Sequence, residues 1–340
     1  YRFCILNSIS FIGYHMSVIP GYTLLTSRGE SNFFREADVE EITMCKNKIT
    51  PKNFRPDYIP KRNFLKISGV ARFLKNLARI PFFFIKDLIS ARFNYHYKWN
   101  VVGSLLLVRL RNIAPIFSQY KKHVKGDIFD IYIPLQFHPE CNSDYWGRFS
   151  QYRSYHKVIL DFCAKYAGEY SICVKEHPNM VGLRSKYFYS ELSKLGVTIF
   201  DVKEDNRAIL DSSKVTVTYN SSVGIEGLVY GASIYCMTDA YYISEGHLTS
   251  ELDMLNHLTK NKITTNKVVN EKHLHDSISK TLSMSLPGDL PDTMTIKNKT
   301  HKKELQDIAG SFAENIKRYF EAITSKDLKI NEIYTYKIGD

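Results

Sequence analysis

Three short polar clusters carry the residue types that could do chemistry. The first is Pro134-Leu135-Gln136-Phe137-His138-Pro139-Glu140, where an apolar run ends and a Gln, a His and a Glu appear within five residues. A carboxylate at Glu140 could serve as nucleophile or as general acid/base, and Gln136 could orient a substrate hydroxyl, with the His138 imidazole as a further binding group. The plainer alternative is a strand-ending turn fixed by Pro139, with Glu140 in solvent. The second cluster is Val174-Lys175-Glu176-His177-Pro178. Lys175 and His177 are suited to neutralising charge that develops on a phosphate leaving group. Otherwise the segment is a polar strand end turning into a loop. The third runs from Tyr219 through Asn220, Ser221, Ser222 and Glu226 to Gly227. Exposed amides at a helix start beside two hydroxyls suit a phosphate, and Glu226, one turn in, suits ribose hydroxyls. Read as plain structure, the same residues are an N-cap and a surface acid.

Motifs absent from the chain narrow the chemistry. There is no GxxxxGK[ST] loop, no GxGxxG fingerprint and no GxSxG elbow, which argues against P-loop ATPase, dinucleotide-dependent redox and α/β-hydrolase chemistry. No DxD pair follows a strand in the second half, so no metal-bridged site and no cofactor are expected. Six cysteines are scattered without a CxxC pair or a His/Cys ligand spacing, which fits a reducing compartment rather than a disulfide scaffold or a zinc site.

The clusters need elements to position them, and from about residue 130 strands and helices alternate. Strands are expected at 131–135, 170–175, 197–200, 215–219 and 233–237, and helices at 155–166, 184–195, 206–212 and 223–230. That alternation predicts a doubly wound α/β domain whose ligands sit at the carboxyl ends of the strands. Each polar cluster follows a strand, so all three should reach one rim. Leu305, Ile308, Phe312, Ile316, Tyr319 and Ile323 form the apolar stripe of a long helix able to pack across domains.

Upstream, Phe64, Ile67, Val70, Phe73, Leu74 and Leu77 recur at helical spacing before Pro81 interrupts. Nine Lys/Arg against the single acid Asp87 lie between residues 59 and 99, a net +8 out of the chain's +11. These basic amphipathic helices suit either solvent or an anionic lipid surface, where each basic residue contributes about 1 kcal/mol. No nucleic-acid-binding motif accompanies the charge. The longest apolar stretches, 80–85 and 101–108, are far short of the roughly 20 residues needed to span a bilayer.

In order and spacing the three clusters resemble the capsule polysaccharide biosynthesis family, which includes Kdo transferases. Its members carry a strand ending PL-[HQ]-x-x-PE, then VKEHP, then a strand followed by small polar residues and a helix-borne Glu. Here these are Pro134-Leu135-Gln136 with Pro139-Glu140, Val174 to Pro178, and Asn220 to Glu226 with Gly231 following. This chain departs from the pattern in Cys141-Asn142-Ser143 after the PE pair and in Gly227, where many members have Ala.

The resemblance implies a GT-B arrangement of two Rossmann-like domains facing a cleft. The expected division is an acceptor-side domain over 1–128, reduced or irregular, a nucleotide-sugar-binding domain over 129–300, and a helix over 301–325 packing across both. It implies a transferase using a nucleotide-sugar donor, CMP-linked Kdo or a similar acidic sugar, on a glycan or lipid-linked acceptor. Lys175 and His177 would contact the donor phosphate, Ser221 and Ser222 the phosphate or base, and Glu226 the nucleoside, while Glu140 would be the catalytic carboxylate. A cytoplasmic location, peripheral at the inner face of the membrane, goes with that activity. Two other readings remain open: polyol-phosphate transfer of the teichoic-acid type, and a non-catalytic scaffold in a polysaccharide assembly complex.

Overall fold

In the computed structural model, the described residues are 13–27, 30–31, 35–51, 120–137, 155–177, 180, 184–238, 240–244, 247–260 and 267–288, with helical positions at 310, 313, 314, 316 and 317. The basic segment, most of the C-terminal stripe, and His138 and Glu140 lie outside them. So does most of the expected 1–128 unit.

The centre is a five-stranded parallel sheet. Its strands are β4 (Phe129–Pro134), β5 (Ile172–Lys175), β6 (Thr198–Phe200), β7 (Ser213–Thr218) and β8 (Ser233–Cys236), arranged β6-β5-β4-β7-β8. β4 and its neighbours read as near-continuous apolar runs because helices cover both faces. Ile131, Tyr132 and Ile133 are all fully buried.

Helices α2 (Tyr155–Tyr166), α3 (Lys186–Lys194) and α6 (Glu251–Lys260) cover one face, where Ile131, Ile133, Val174 and Val217 meet Ile159, Phe188, Leu192 and Met254. The other face, carrying Tyr132, Cys173 and Phe200, is covered by α4 (Asn206–Asp211), α5 (Val223–Val229) and α7 (Glu271–Ser283). Every strand and helix expected between residues 129 and 237 is present, with ends within two residues of the expectation.

Local signals set the ends of these helices. Ser185 caps α3 by accepting from the Tyr187 amide, and Asp205 caps α4 by accepting from the Arg207 amide. The C-terminus of α3 closes in a Schellman motif, with the Val197 amide on the Leu192 carbonyl and Gly196 at φ 76°. Glycine takes that left-handed conformation without a Cβ penalty.

The sequence pattern offers no element before residue 64, yet the structure has several. β1 (Gly13–Met16), β2 (Tyr22–Ser27) and β3 (Glu30–Ser31) form an antiparallel sheet with β9 (Ser285–Pro287), followed by α1 (Val39–Ile49). Strands this short give too few alternations to stand out from an irregular background. β2 depends on a distant partner, pairing Thr23 with Leu286 across the chain.

Ile42, Cys45 and Ile49 of α1 join Leu274, Ile278 and Leu282 of α7 in one core, and each large aliphatic side chain buried there is worth roughly 1.5–3 kcal/mol. The described N-terminal residues therefore pack directly on the α/β unit. No helix among the described residues is long and apolar enough to cross a membrane.

Arg35 fastens this junction. Its Nε donates to the carbonyls of Leu282 (3.0 Å) and Ser285 (2.9 Å), while Nη1 and Nη2 pair with both oxygens of Glu41 at 2.7 and 2.8 Å. Tyr22 donates its hydroxyl to the same carboxylate at 2.7 Å. Arg35→Ala would remove the Arg35 donor from the Leu282 and Ser285 carbonyls and leave Glu41 with the Tyr22 hydroxyl but no guanidinium, so a loss of about 1–3 kcal/mol is expected in urea unfolding. An unchanged midpoint would mean the junction contributes nothing to the fold.

Candidate functional site

The strand order reverses between β4 and β7, because the connections from β4 run one way across the sheet and those into β7 and β8 run the other. At such a switch point the loops after the two strands diverge and leave a crevice at their carboxyl ends. Gln136 follows β4 and Asn220 follows β7. The Gln136 Nε2 donates to Asn220 Oδ1 at 2.7 Å, across that crevice. Both side chains are buried, and the Gln136 amide is held from behind by the Tyr155 hydroxyl at 2.8 Å. With Nε2 directed at Asn220, Gln136 Oε1 is left buried and without a hydrogen-bond partner among the described residues.

The Lys-Glu-His run is divided by strand geometry. Successive side chains of β5 point to opposite faces, so Lys175 goes with Cys173 toward α4 and Glu176 goes with Val174 toward α3. Lys175 Nζ donates to Asn206 Oδ1 at 2.5 Å.

Glu176 is only 1% exposed and Arg184 is fully buried. Arg184 Nε donates to Glu176 Oε2 at 2.7 Å and its Nη2 to Glu176 Oε1 at 3.0 Å. The same Nη2 reaches the Gln136 carbonyl at 2.6 Å, and the Tyr189 hydroxyl donates to Glu176 Oε2. Burial opposes the Arg184 charge, but Glu176 outweighs it and holds the guanidinium above its ordinary range. The rings of Tyr155 and Phe188 lie 5.5 and 5.3 Å from the guanidinium carbon, which adds cation–π attraction.

Glu176 Oε1 also accepts from the amide of His177 at 2.6 Å. The buried pair thus holds the backbone of both the first and second clusters, and with the Gln136–Asn220 bond all three clusters form one hydrogen-bonded rim.

His177 differs from its expected electrostatic role. Burial, reinforced by the nearby charges of Arg184 and Lys175, pulls its pKa below the ordinary value despite Glu176. At neutral pH it is an uncharged imidazole, a hydrogen-bonding or proton-transferring group rather than a standing cation. Its ring faces Phe137 at 5.9 Å between centroids.

The third cluster also departs from expectation. α5 has seven residues, and the amides at its start are largely engaged within the turn. Val223 N donates to Ser221 Oγ at 3.3 Å, Gly224 N to the Ser221 carbonyl at 2.9 Å, and Ser221 N to Thr218 Oγ1 at 2.9 Å. Ser222, the formal N-cap, makes no side-chain capping bond. The open amide nest expected here is therefore mostly closed by local Ser and Thr bonds of the kind that compete with helix ends.

Tyr242 donates its hydroxyl to the Ser221 carbonyl, and a Cβ on Gly224 would come within 2.6 Å of its ring. Gly227 is likewise matched to its neighbour, with Ile234 Cδ1 2.5 Å from where a Cβ would stand. Glu226 lies near Tyr132 and Tyr230; burial raises both phenols, and the Glu226 charge adds to it.

Several residues of this rim carry no local signal. Arg184 sits in a loop with nothing in its neighbours to mark it as buried. Asn206 reads as an ordinary helix start. Tyr132 reads as one more strand residue. The opposite rim contrasts with this one: Asp130 is satisfied by Ser171 N and Oγ (2.9 and 2.8 Å) and by Lys214 (2.7 Å), a closed latch between strand beginnings.

Residues 116–282 match the family model described as capsule polysaccharide biosynthesis protein. That part of the chain belongs to the capsule polysaccharide biosynthesis family. No curated protein matches the chain. Among solved structures, the beta Kdo 2,7 transferase KpsC of Thermosulfurimonas dismutans is similar at 13% identity, over 79% of this chain and 77% of that one, with a TM-score of 0.32. A superposition that loose adds nothing to the argument from the site.

Two outcomes are expected. Replacing Arg184 with Met would bury Glu176 without its partner, at a cost of about 3–5 kcal/mol, measurable as a lowered denaturation midpoint; a change of a few tenths would mean that the pair is not what holds the rim. The second concerns pH. Burial lowers the pKa of His177, His247 and His257, so as pH falls through the unfolded imidazole value of about 6.5 the unfolded chain takes up more protons than the folded one. This contribution to stability is complete above that pH and is lost toward the lower folded values. Melting temperature should therefore drop between pH 6.5 and 5, and His177→Gln should flatten part of the drop; an equally steep drop in the variant would contradict the buried neutral state of His177.

Proposed function

We propose that the chain is a glycosyltransferase of the GT-B type, acting in the assembly of a bacterial capsule or related surface polysaccharide. It takes a sugar from a nucleotide-linked donor, CMP-Kdo or a similar acidic sugar, and passes it to a glycan or lipid-linked acceptor. The observation that carries this reading is the Gln136–Asn220 bond across the β4/β7 switch point, inside the region that belongs to the capsule family. Crevices of that kind are where open parallel sheets bind nucleotides.

The nucleotide lies at the carboxyl ends of β4, β5 and β7, with Lys175 beside the phosphate and Glu226 toward the nucleoside. During transfer the bond between the anomeric carbon and the phosphate oxygen breaks, and the nucleotide leaves with the electron pair. Lys175 opposes the charge that builds up there. A neutral His177 can donate a hydrogen bond from its ring N–H to the same oxygen. The acceptor oxygen bonds to the anomeric carbon, and Glu140, four residues past Gln136, takes its proton or forms the first bond itself. The GT-B reading calls for a second domain facing this one across the cleft, and the basic segment at residues 59–99 would meet the anionic inner face of the membrane.

Nucleotide release measured with CMP-, UDP- and GDP-sugars and with CDP-glycerol tests the reading. Turnover with CDP-glycerol alone would make it a polyol-phosphate transferase, and donor binding without turnover on any glycan or lipid-linked acceptor would make it a scaffold. On the active donor, Glu140→Gln is expected to lower kcat about 100-fold or more while leaving donor binding within a few-fold. A variant with wild-type kcat would remove Glu140 from the chemistry.

A further inference from the structure

Asn206 was placed in no role by its sequence context, where it stands one residue after the Asp205 cap at the start of a six-residue helix. Its side chain joins two strands of the candidate site. Oδ1 accepts from Lys175 Nζ, at the end of β5, at 2.5 Å, and from the Tyr132 hydroxyl, on the central strand, at 3.3 Å. This fixes which way the carboxamide points. A lysine ammonium has donors and no acceptor, so only the amide oxygen can face it. A tyrosine hydroxyl on the same oxygen reinforces that choice.

The NH2 group must then face the other way, and it donates to nothing among the described residues. Asn206 and Lys175 are both part-exposed. One short chain, Tyr132 to Asn206 to Lys175, therefore sets an amide donor and a cationic donor side by side at the carboxyl end of the sheet.

We infer that Asn206 is a binding residue for the donor nucleotide, its Nδ2 donating to a phosphoryl oxygen that Lys175 also contacts. The inference rests on the nucleotide-sugar reading above and extends it to the first residue of α4, at the far end of the loop that follows β6. It assigns Asn206 two tasks at once. The carbonyl holds the Lys175 ammonium at the strand end, and the NH2 supplies a directed hydrogen bond to an oxygen of the ligand. A phosphoryl oxygen fits this pair better than a ribose hydroxyl, because both groups donate and one is charged.

Asn206→Asp separates binding from structure. A carboxylate keeps an oxygen for both Lys175 and Tyr132, so the unliganded protein should melt at the wild-type temperature or above it. It also removes both amide donors and turns a negative charge toward the phosphate. Calorimetric titration with CMP, CDP, UDP and GDP is expected to show the nucleotide that binds wild type bound about tenfold more weakly, or worse, by Asn206→Asp, a loss in the range of one charge-assisted hydrogen bond. Asn206→Ser, which keeps a small hydroxyl donor without the charge, should fall between the two. Binding by Asn206→Asp within twofold of wild type would overturn the assignment while leaving the nucleotide reading intact. If none of the four nucleotides binds wild type, the nucleotide reading fails and this assignment fails with it.

Discussion

The rim depends on the ion pair between Arg184 and Glu176. Two fully desolvated charges are costly unless geometry and extra hydrogen bonds compensate. Here the guanidinium is met by both carboxylate oxygens and by the Gln136 carbonyl, while the carboxylate also accepts from Tyr189 and the His177 amide. Replacing such a pair with packed apolar groups can match it for stability, so the fold alone does not require it. What apolar groups could not do is grip two backbone segments at once. The Gln136 carbonyl and the His177 amide belong to loops after different strands, and one pair sets the position of both.

Strand periodicity then assigns tasks within a single tripeptide. Glu176 turns toward α3 and becomes structural, while Lys175 turns toward α4 and meets Asn206 at the partly exposed rim. The consequence for His177 is electrostatic. Burial, aided by the positive charges of Arg184 and Lys175 and opposed by Glu176, lowers the imidazole pKa and favours its uncharged form. A permanently cationic His would add positive charge beside Lys175 and Arg184, whereas a neutral one can take up a proton or donate a hydrogen bond.

The sheet was legible in the sequence because buried parallel strands make dense apolar runs and their helices carry a regular stripe. Ile131 to Ile133 and the Tyr155, Ile159, Phe162, Cys163, Tyr166 stripe leave little ambiguity. The N-terminal sheet was not legible, since β2 finds part of its pairing in residues 285–287, far along the chain, and no local pattern encodes such a partner. Within the site, residues that end strands were visible because polar residues interrupt apolar runs. Arg184 and Asn206 were not, because each acts through a contact set by the fold: a buried arginine and a surface one look alike in sequence. The choice at α5 between a phosphate nest and a plain N-cap was open in the sequence for a related reason. Ser221 and Thr218 are equally suited to binding an anion and to satisfying their own turn, and here Ser221 Oγ and Thr218 Oγ1 are engaged in the turn.

The engaged hydroxyls at α5 shift the weight of the proposed anion site toward β5 and α4. With the amides of Ser221, Val223 and Gly224 engaged in the turn and the helix too short to add a substantial dipole, side chains carry more of the rim's polar character: the Ser222 hydroxyl, which makes no capping bond, and the groups at Lys175 and Asn206. Side-chain donors held by second contacts are more selective than a backbone nest, because each has one direction fixed by its neighbour. The Asn206 carboxamide is oriented by Lys175, and Lys175 is steadied in turn by Asn206. If the ligand is the nucleotide-linked sugar proposed above, a site built this way would recognise the placement of oxygens around its phosphate rather than charge alone.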